Sequence, residues 1–484
     1  MSIARRTFLR QFATAGGGAL ITPSLAGLSA WSRSARGGGL PVGPAGRHPD
    51  PRDLLIAPYG RLGPSADCPE LEIPENFRCI RLSLGGVESS VRPGLTVPNA
   101  FDGMAAFPLP NGNVRLIRNH EMVDDAESAR PIGHPAYDAK GSGGTTSLEV
   151  RISGSGMDLG VELVDEFVSL AGTRVNCAGG PTPWGSWLSC EEIPSGPEDG
   201  YDEPHGYIFE VPVDATGPVD PVPLRDMGRF IHEAVAVDPA TGIVYETEDT
   251  WYDPGGRPGA GLYRFIPNRP GVLAAGGRLQ MMAVTGAPTY LLARGQSTGQ
   301  VHQVHWVDID DPDPPDAGPN HLAVFWQGMA KGAARFARLE GAFHGDDGIY
   351  VVSTNGGDAR AGQVFHYRPL TDDTGELRVV FESPSRDVLE APDNICLSPR
   401  GGLIMCEDGS DDQFVRGLDR EGRIVNLVRA PVVEGEDDPR EFAGSCFSPD
   451  GRVLFFNVQG DREIGEPVSS TTYALWGPWE QGPI

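Results

Sequence analysis

Five residues of metal-ligating type, Asp102, Cys177, Glu233, Glu340 and Asp393, each stand at the start of a short strand-forming run that turns back on itself through a Gly-containing turn. Four carboxylates and one thiol gathered in one small volume cannot all stay ionised without compensation, because like charges in a confined site raise one another's pKa. Metal cations are the natural compensation. Oxygen-rich sites select hard ions such as calcium, whereas a lone thiolate among carboxylates fits a harder transition ion such as iron poorly without excluding it. Coordination chemistry alone therefore gives calcium plus a second kind of ion. The returning strands end in further oxygen donors: Asn119, Glu121, Glu191, Glu192, Glu248, Asp249, Glu407 and Asp408. Any single acid at a strand end is ordinarily a turn-former or a solvated side chain. Recurrence in register is what points to metal.

Other reactive residue types have blander readings. Cys190, Cys396, Cys406 and Cys446 sit inside strand patterns and read as ordinary buried residues. His120 and His232 flank acids, yet histidines in such strands are more often hydrogen-bonded packing residues than ligands. Trp184, Trp187 and Trp251 read as core rather than as a substrate platform. Seven cysteines in an exported chain leave at least one unpaired. Cys68 and Cys79 are a candidate pair that the sequence leaves open.

The elements that must position these residues show as an internal repeat. Six segments share a short polar start, a strand, a turn with Gly, a second strand and a polar end, beginning at Asp102, Cys177, Glu233, Glu340, Asp393 and Ala443. Most begin about 50 to 75 residues after the one before, the room one four-stranded blade takes. The fold predicted is all-β: a β-propeller of six blades, with an insertion filling the longer interval around 270–335. In a propeller the innermost strand of each blade lines the central channel, so equivalent positions of successive blades face one another there.

Composition agrees. The 484 residues include 65 Gly and 44 Pro, which favour short strands and turns, and no run shows sustained helical periodicity. A formal charge of -27 argues against nucleic acid as a partner. Ala4-Arg5-Arg6-Thr7-Phe8-Leu9-Arg10, a weakly apolar run to Leu28 and small residues near Ala26 and Ala30 read as a twin-arginine signal over 1–30. Residues 31–50 read as a flexible lead-in, and 51–484 as the catalytic propeller. The expected protein is a monomer, handled by the twin-arginine export machinery and delivered to the periplasm or beyond. No later segment is apolar over the roughly 18 to 20 residues that span a bilayer.

Several words of the sequence resemble the PhoX alkaline phosphatase family: Asn176-Cys177-Ala178-Gly179-Gly180, Thr182-Pro183-Trp184-Gly185, Cys190-Glu191-Glu192, and Gly228-Arg229-Phe230-Ile231-His232-Glu233-Ala234 with Glu248-Asp249. Gly261-Leu262-Tyr263-Arg264-Phe265, Arg338-Leu339-Glu340 and Trp476-Gly477-Pro478-Trp479 continue the likeness, which runs from about residue 80 to the end. The resemblance implies a six-bladed propeller holding ferric iron (Fe3+) and calcium (Ca2+) around a bridging oxo group, and hydrolysis of phosphomonoesters. It implies Cys177 as the thiolate on iron, and Glu233 and Glu340 as iron or calcium ligands. Asn119, Glu121, Glu191, Glu192 and Asp393 complete the metal set, and Arg338 sits beside the substrate phosphate. Arg338 precedes Glu340 by two residues, so in an extended strand both point toward the channel. Arg229 and Lys331 are candidates for a second cationic contact.

Two other readings remain open to the sequence: a calcium-dependent propeller lactonase or phosphodiesterase, and a binding propeller that calcium only stabilises. Cys177 separates them from the first, because a site that holds only calcium has little use for a thiolate.

Overall fold

Each repeat folds as an antiparallel hairpin in the computed structural model, which describes residues 54–432, 440–465 and 468–484. The hairpins are β1 (Phe101–Pro108) with β2 (Val114–His120), β3 (Asn176–Pro181) with β4 (Ser186–Glu191), and β5 (His232–Val237) with β6 (Val244–Glu248). They continue with β7 (Leu339–His344) and β8 (Ile349–Ser353), β9 (Pro392–Leu397) and β10 (Leu403–Glu407), and β11 (Phe442–Phe447) and β12 (Val453–Val458). Their turns fall on the Gly-containing stretches. Gly112 at φ 88° and Gly451 at φ 72° take the left-handed backbone that a Cβ resists.

Further strands extend the hairpins outward. Gly143–Ser153 and Gly160–Thr173 follow β2, Ile208–Pro212 follows β4, and Gln413–Leu418 and Ile424–Ala430 follow β10. Beyond β12 lie Thr471–Trp476 and, from the other end of the sequence, Arg78–Leu84. The third and fourth hairpins share one nine-stranded sheet, because Val301–Asp308 pairs with Gly277–Val284 on one side and with Thr374–Glu382 on the other. That strand and the helix Ala323–Ala330 occupy the longer interval seen in the sequence.

β1, β3, β5, β7, β9 and β11 pack beside one another in closed order, with β11 returning to β1. Apolar cores fill the spaces between neighbouring sheets. Leu188, Ile208, Val235, Tyr263 and Phe265 belong to one, and Met104, Leu116, Leu148, Phe455 and Trp476 to another. Both faces of these strands are thereby covered, so β2 and β12 are buried at every residue instead of alternating in and out.

Cys190, Cys396, Cys406 and Cys446 are buried in these cores as expected. Cys68 and Cys79 are buried free thiols, and burial followed by the neighbouring Cys68 raises Cys79 well above the ordinary thiol value. The predicted signal and lead-in, 1–30 and 31–50, lie outside the described residues. Among those described, no helix is long and apolar enough to cross a membrane.

Candidate metal centre

The second residue of every inner strand is one of the residues singled out from the repeat: Asp102, Cys177, Glu233, Glu340, Asp393 and Ala443. A local feature of the hairpins aims them. In all six, pairing slips by one residue just beyond that position, as between Phe101 and Met104 against His120 and Arg118. Such a bulge bends the strand and redirects the side chain it carries. The residue before the strand is bent too: Ala100, Val175, Arg338 and Ala391 all have φ between 43° and 53°. A left-handed non-glycine costs about 1–3 kcal/mol and persists only where its surroundings over-determine it. Small residues follow the second position and let the strands close up. A Cβ on Gly103 would lie 2.6 Å from Ala178 Cα, and one on Gly341 2.3 Å from the Asp393 carbonyl oxygen.

Seven residues of metal-ligating type converge there in three overlapping groups. Asp102, Glu121 and Cys177 form the first, Cys177, Glu192 and Glu233 the second, and Glu233, Glu340 and Asp393 the third. Within each group one donor atom per residue lies within 4.8 Å of the others. Glu233 is fully buried, and neither of its carboxylate oxygens has a hydrogen-bond partner. Burial, and after it Asp393 and Glu192, pushes Glu233 well above the carboxylate range. Burial and neighbouring acids do the same to Asp102 and Glu192. Burial raises Glu340 well above its range and Asp393 to about 6. Burial and then Asp102 and Glu233 hold the Cys177 thiol well above its ordinary value. Such a set is unstable as bare anions and fits hard cations with one softer partner.

The hairpin ends divide the expected donors in two. In β4, β6 and β10 the last residue is an acid held by partners away from the cluster, and the acid after it stands nearer the cluster. Glu191, expected in the metal set, accepts hydrogen bonds from the backbone N–H groups of Arg174 (2.9 Å), Gly206 (2.8 Å) and Tyr207 (3.1 Å) and pairs with His205 Nδ1 at 2.6 Å. Glu248 accepts from Gly261 N–H and the Tyr263 hydroxyl, and burial raises it to about 8. Glu407 accepts from Glu390 N–H and Arg416 Nε, and burial raises it to about 7. These three brace loops, while Glu192, Asp249 and Asp408 supply the inward carboxylates. Asn119, also expected as a ligand, stands outside the cluster. Its Nδ2 donates to the carbonyls of Cys177 (3.0 Å) and Ala178 (2.7 Å), and its Oδ1 accepts from Trp187 Nε1 and Ser189 Oγ, both at 2.9 Å. It locks β2 to β3 behind the thiol. His120, held between Asn99 O and Thr146 Oγ1, and His232, against Gly228 O, are packing residues as expected.

Two arginines border the acids. Arg338 Nε donates to both Asp249 oxygens at 3.1 Å, and Nη2 donates to Asp249 at 2.9 Å and stands 2.5 Å from Glu340. Burial works against its charge, but Glu340, Asp249 and Asp408 more than offset this and raise its pKa. It reaches Glu340 differently from the way an extended strand predicts. Arg338 lies in the left-handed kink before β7, outside the extended strand that begins at Leu339. The second cation is Arg462, paired with Glu121 and 40% exposed at its side chain. Neither sequence candidate is at the site: Arg229 donates to the carbonyls of His205 and Ser195, and Lys331 to Asp308 O and Asp310. Sequence reasoning also missed Glu441, raised well above its range by burial and then by Asp408 and Asp102. It stands immediately before β11, the place Arg338 holds before β7.

The tryptophans divide as well. Trp187 is buried and Trp184 half-buried, but Trp251, expected in the core, is 48% exposed beside Arg338.

Closed packing of inner strands around an acid and thiol cluster with bordering arginines defines a nearly all-β protein whose inner strands carry groups that could hold cations. A family model described as alkaline phosphatase PhoX matches residues 58–461, and the chain belongs to the PhoX alkaline phosphatase family. It is a phosphatase, a hydrolase acting on small phosphate substrates. The fold is similar to that of Pseudomonas fluorescens PhoX, solved in complex with vanadate, a transition state analogue. The TM-score is 0.64 at 17% identity, over 88% of this chain and 99% of that one. Pseudomonas aeruginosa periplasmic gluconolactonase aligns at TM-score 0.32 and 15% identity, over 81% of this chain and 90% of that one. No curated protein matches the chain by sequence.

Proposed function

We propose that the chain is an exported phosphomonoesterase that works with iron and calcium held in the channel of a six-bladed propeller. The observation that carries this reading is Glu233, a fully buried carboxylate with both oxygens unpartnered, placed between Cys177 and two further acids. A buried charge without a partner is costly enough that a cation is its expected complement. Cys177, Asp102, Glu121, Glu192, Glu233, Glu340 and Asp393 would hold the ions, with Cys177 toward iron and the all-oxygen group toward calcium. When bound, the ions neutralise charge on the non-bridging phosphate oxygens and activate the attacking oxygen nucleophile.

The chain's own residues do the rest. Asp249 and Glu340 occupy Nε and Nη2 of Arg338, which fixes the guanidinium plane and leaves Nη1, 3.9 Å from Asp408, as the arm that meets a phosphate oxygen. Arg462, paired with Glu121, supplies the second positive charge. Because both are anchored before substrate arrives, no reorganisation is needed as charge develops on the phosphate.

Six hairpins whose first strands pack in closed order support six blades. The twin-arginine motif supports export of the folded protein to the periplasm or beyond, and a monomer is the simplest state. Metal analysis of protein exported by its native host, with release of phosphate from a generic phosphomonoester before and after calcium chelation, tests the whole. Fully loaded protein that releases no phosphate overturns the proposal, and the calcium-dependent lactonase or phosphodiesterase then takes its place.

A further inference from the structure

Trp251 follows Asp249, the residue that clamps Arg338, by two positions. Its ring centre lies 5.0 Å from Arg338 Cζ and 5.5 Å from Arg257 Cζ. Arg257 belongs to a small hairpin, Tyr252–Asp253 with Arg257–Pro258, whose tip is closed by Gly255 N–H donating to Asp253 Oδ1 at 2.7 Å. The base is tied as well: Gly259 N–H donates to Trp251 O at 3.1 Å, and Thr250 Oγ1 donates to Gly259 O at 2.7 Å. A braced backbone thus holds the indole beside the guanidinium proposed to bind phosphate, with 48% of the residue open to water. The two guanidiniums against the ring still leave about half of the residue in water, and a large apolar ring left in water is a cost that a ligand can relieve.

We infer that Trp251 is the leaving-group platform of this site and favours phosphomonoesters whose leaving group carries a planar aromatic ring. The inference rests on the phosphomonoesterase reading, with Arg338 at the phosphate. A phosphorus atom held by a guanidinium stands roughly 4 Å from its central carbon. The ester substituent, one or two bonds further on, then falls within stacking distance of a ring centred 5.0 Å from that same carbon. Charge adds a direction of approach. A chain of formal charge -27 repels anions in general, so Arg257 and Arg338 beside the indole mark a locally favourable path for a phosphate ester.

The test compares phenyl phosphate with glycerol 2-phosphate on the metal-loaded wild type, W251A and W251F. Dissociation constants for phenylphosphonate and methylphosphonate, which are not hydrolysed, are measured alongside. W251A is expected to lower kcat/KM for phenyl phosphate about tenfold more than for glycerol 2-phosphate, the size of one lost stacking contact. W251F should recover most of that ratio, and W251A should lose the preference for phenylphosphonate over methylphosphonate. Equal losses on both substrates would overturn the inference and leave Trp251 as a residue that positions Arg338. No loss on either would overturn it too. A loaded wild type that hydrolyses neither substrate counts against the phosphomonoesterase reading alone, and the phosphonate preference and its loss in W251A still decide the platform.

Discussion

Removing the Arg338 guanidinium should have two separable effects. Its Nε and Nη2 make three hydrogen bonds to Asp249 and an ion pair with Glu340, both acids being buried. Breaking a buried ion pair by deleting one partner costs about 3–5 kcal/mol. Here the loss should fall at the lower end, about 3 kcal/mol, because Glu340, no longer held down by the guanidinium, can answer by taking up a proton. On the reaction, the loss of one preorganised donor to developing charge lowers kcat about 10²- to 10³-fold. Arg338→Ala should therefore show both losses. Arg338→Lys should regain less than tenfold in kcat, since one ammonium cannot reproduce the two-pronged contact with Asp249. Urea unfolding in the presence of a chelator reads the loss of stability. Steady-state hydrolysis of p-nitrophenyl phosphate, with metal content measured on the same preparation, reads the loss in kcat. If Arg338→Ala kept more than a tenth of the wild-type kcat at full metal content, or if missing metal accounted for the entire loss, Arg338 would not be at the phosphate.

Other outcomes follow from the same geometry. If the centre holds the proposed iron and calcium, Cys177→Ser should remove the iron and its visible absorbance while calcium remains measurable, with phosphate release falling about 10²-fold. Glu191→Ala strips the acceptor from three backbone N–H groups and His205, so unfolding should cost about 2–4 kcal/mol less, and a calorimetric melt shows it as a Tm several degrees lower. Glu248 has a folded value of about 8 against an ordinary 4.5. The stability its protonated form contributes is fully present below about 4.5 and lost as pH rises through about 8. Glu248→Gln should flatten the fall in urea midpoint between pH 5 and pH 8, and an unchanged slope would contradict burial as the cause.

How much of this was legible in the sequence depends on whether register or long-range packing sets the position. Asp102, Cys177, Glu233, Glu340 and Asp393 could be read from the repeat because each is the second residue of an equivalent strand and each carries the same bulge. The adjacent acids Glu191 and Glu192 could not be told apart. Which of two neighbours faces inward depends on where the strand stops, and a shift of one residue reverses the face. Asn119 has the oxygen of a ligand, but its amide is committed to the backbone of another repeat. Arg462 lies 341 positions from Glu121, a separation that no local pattern encodes. Trp251 reads as core by residue type, and only its position past the end of β6 leaves it exposed beside Arg338.

The sheet shared by Arg78–Leu84 and Thr471–Trp476 sets the order of events during synthesis. Units in the middle of the chain can form as they leave the ribosome, but Arg78–Leu84 waits for Thr471–Trp476. Closure is therefore a late step with a long loop to pay for. A chain stalled or clipped before Thr471 keeps its six hairpins yet lacks this seam, and a cell that screens for completed folding before releasing the protein has a joint to inspect here.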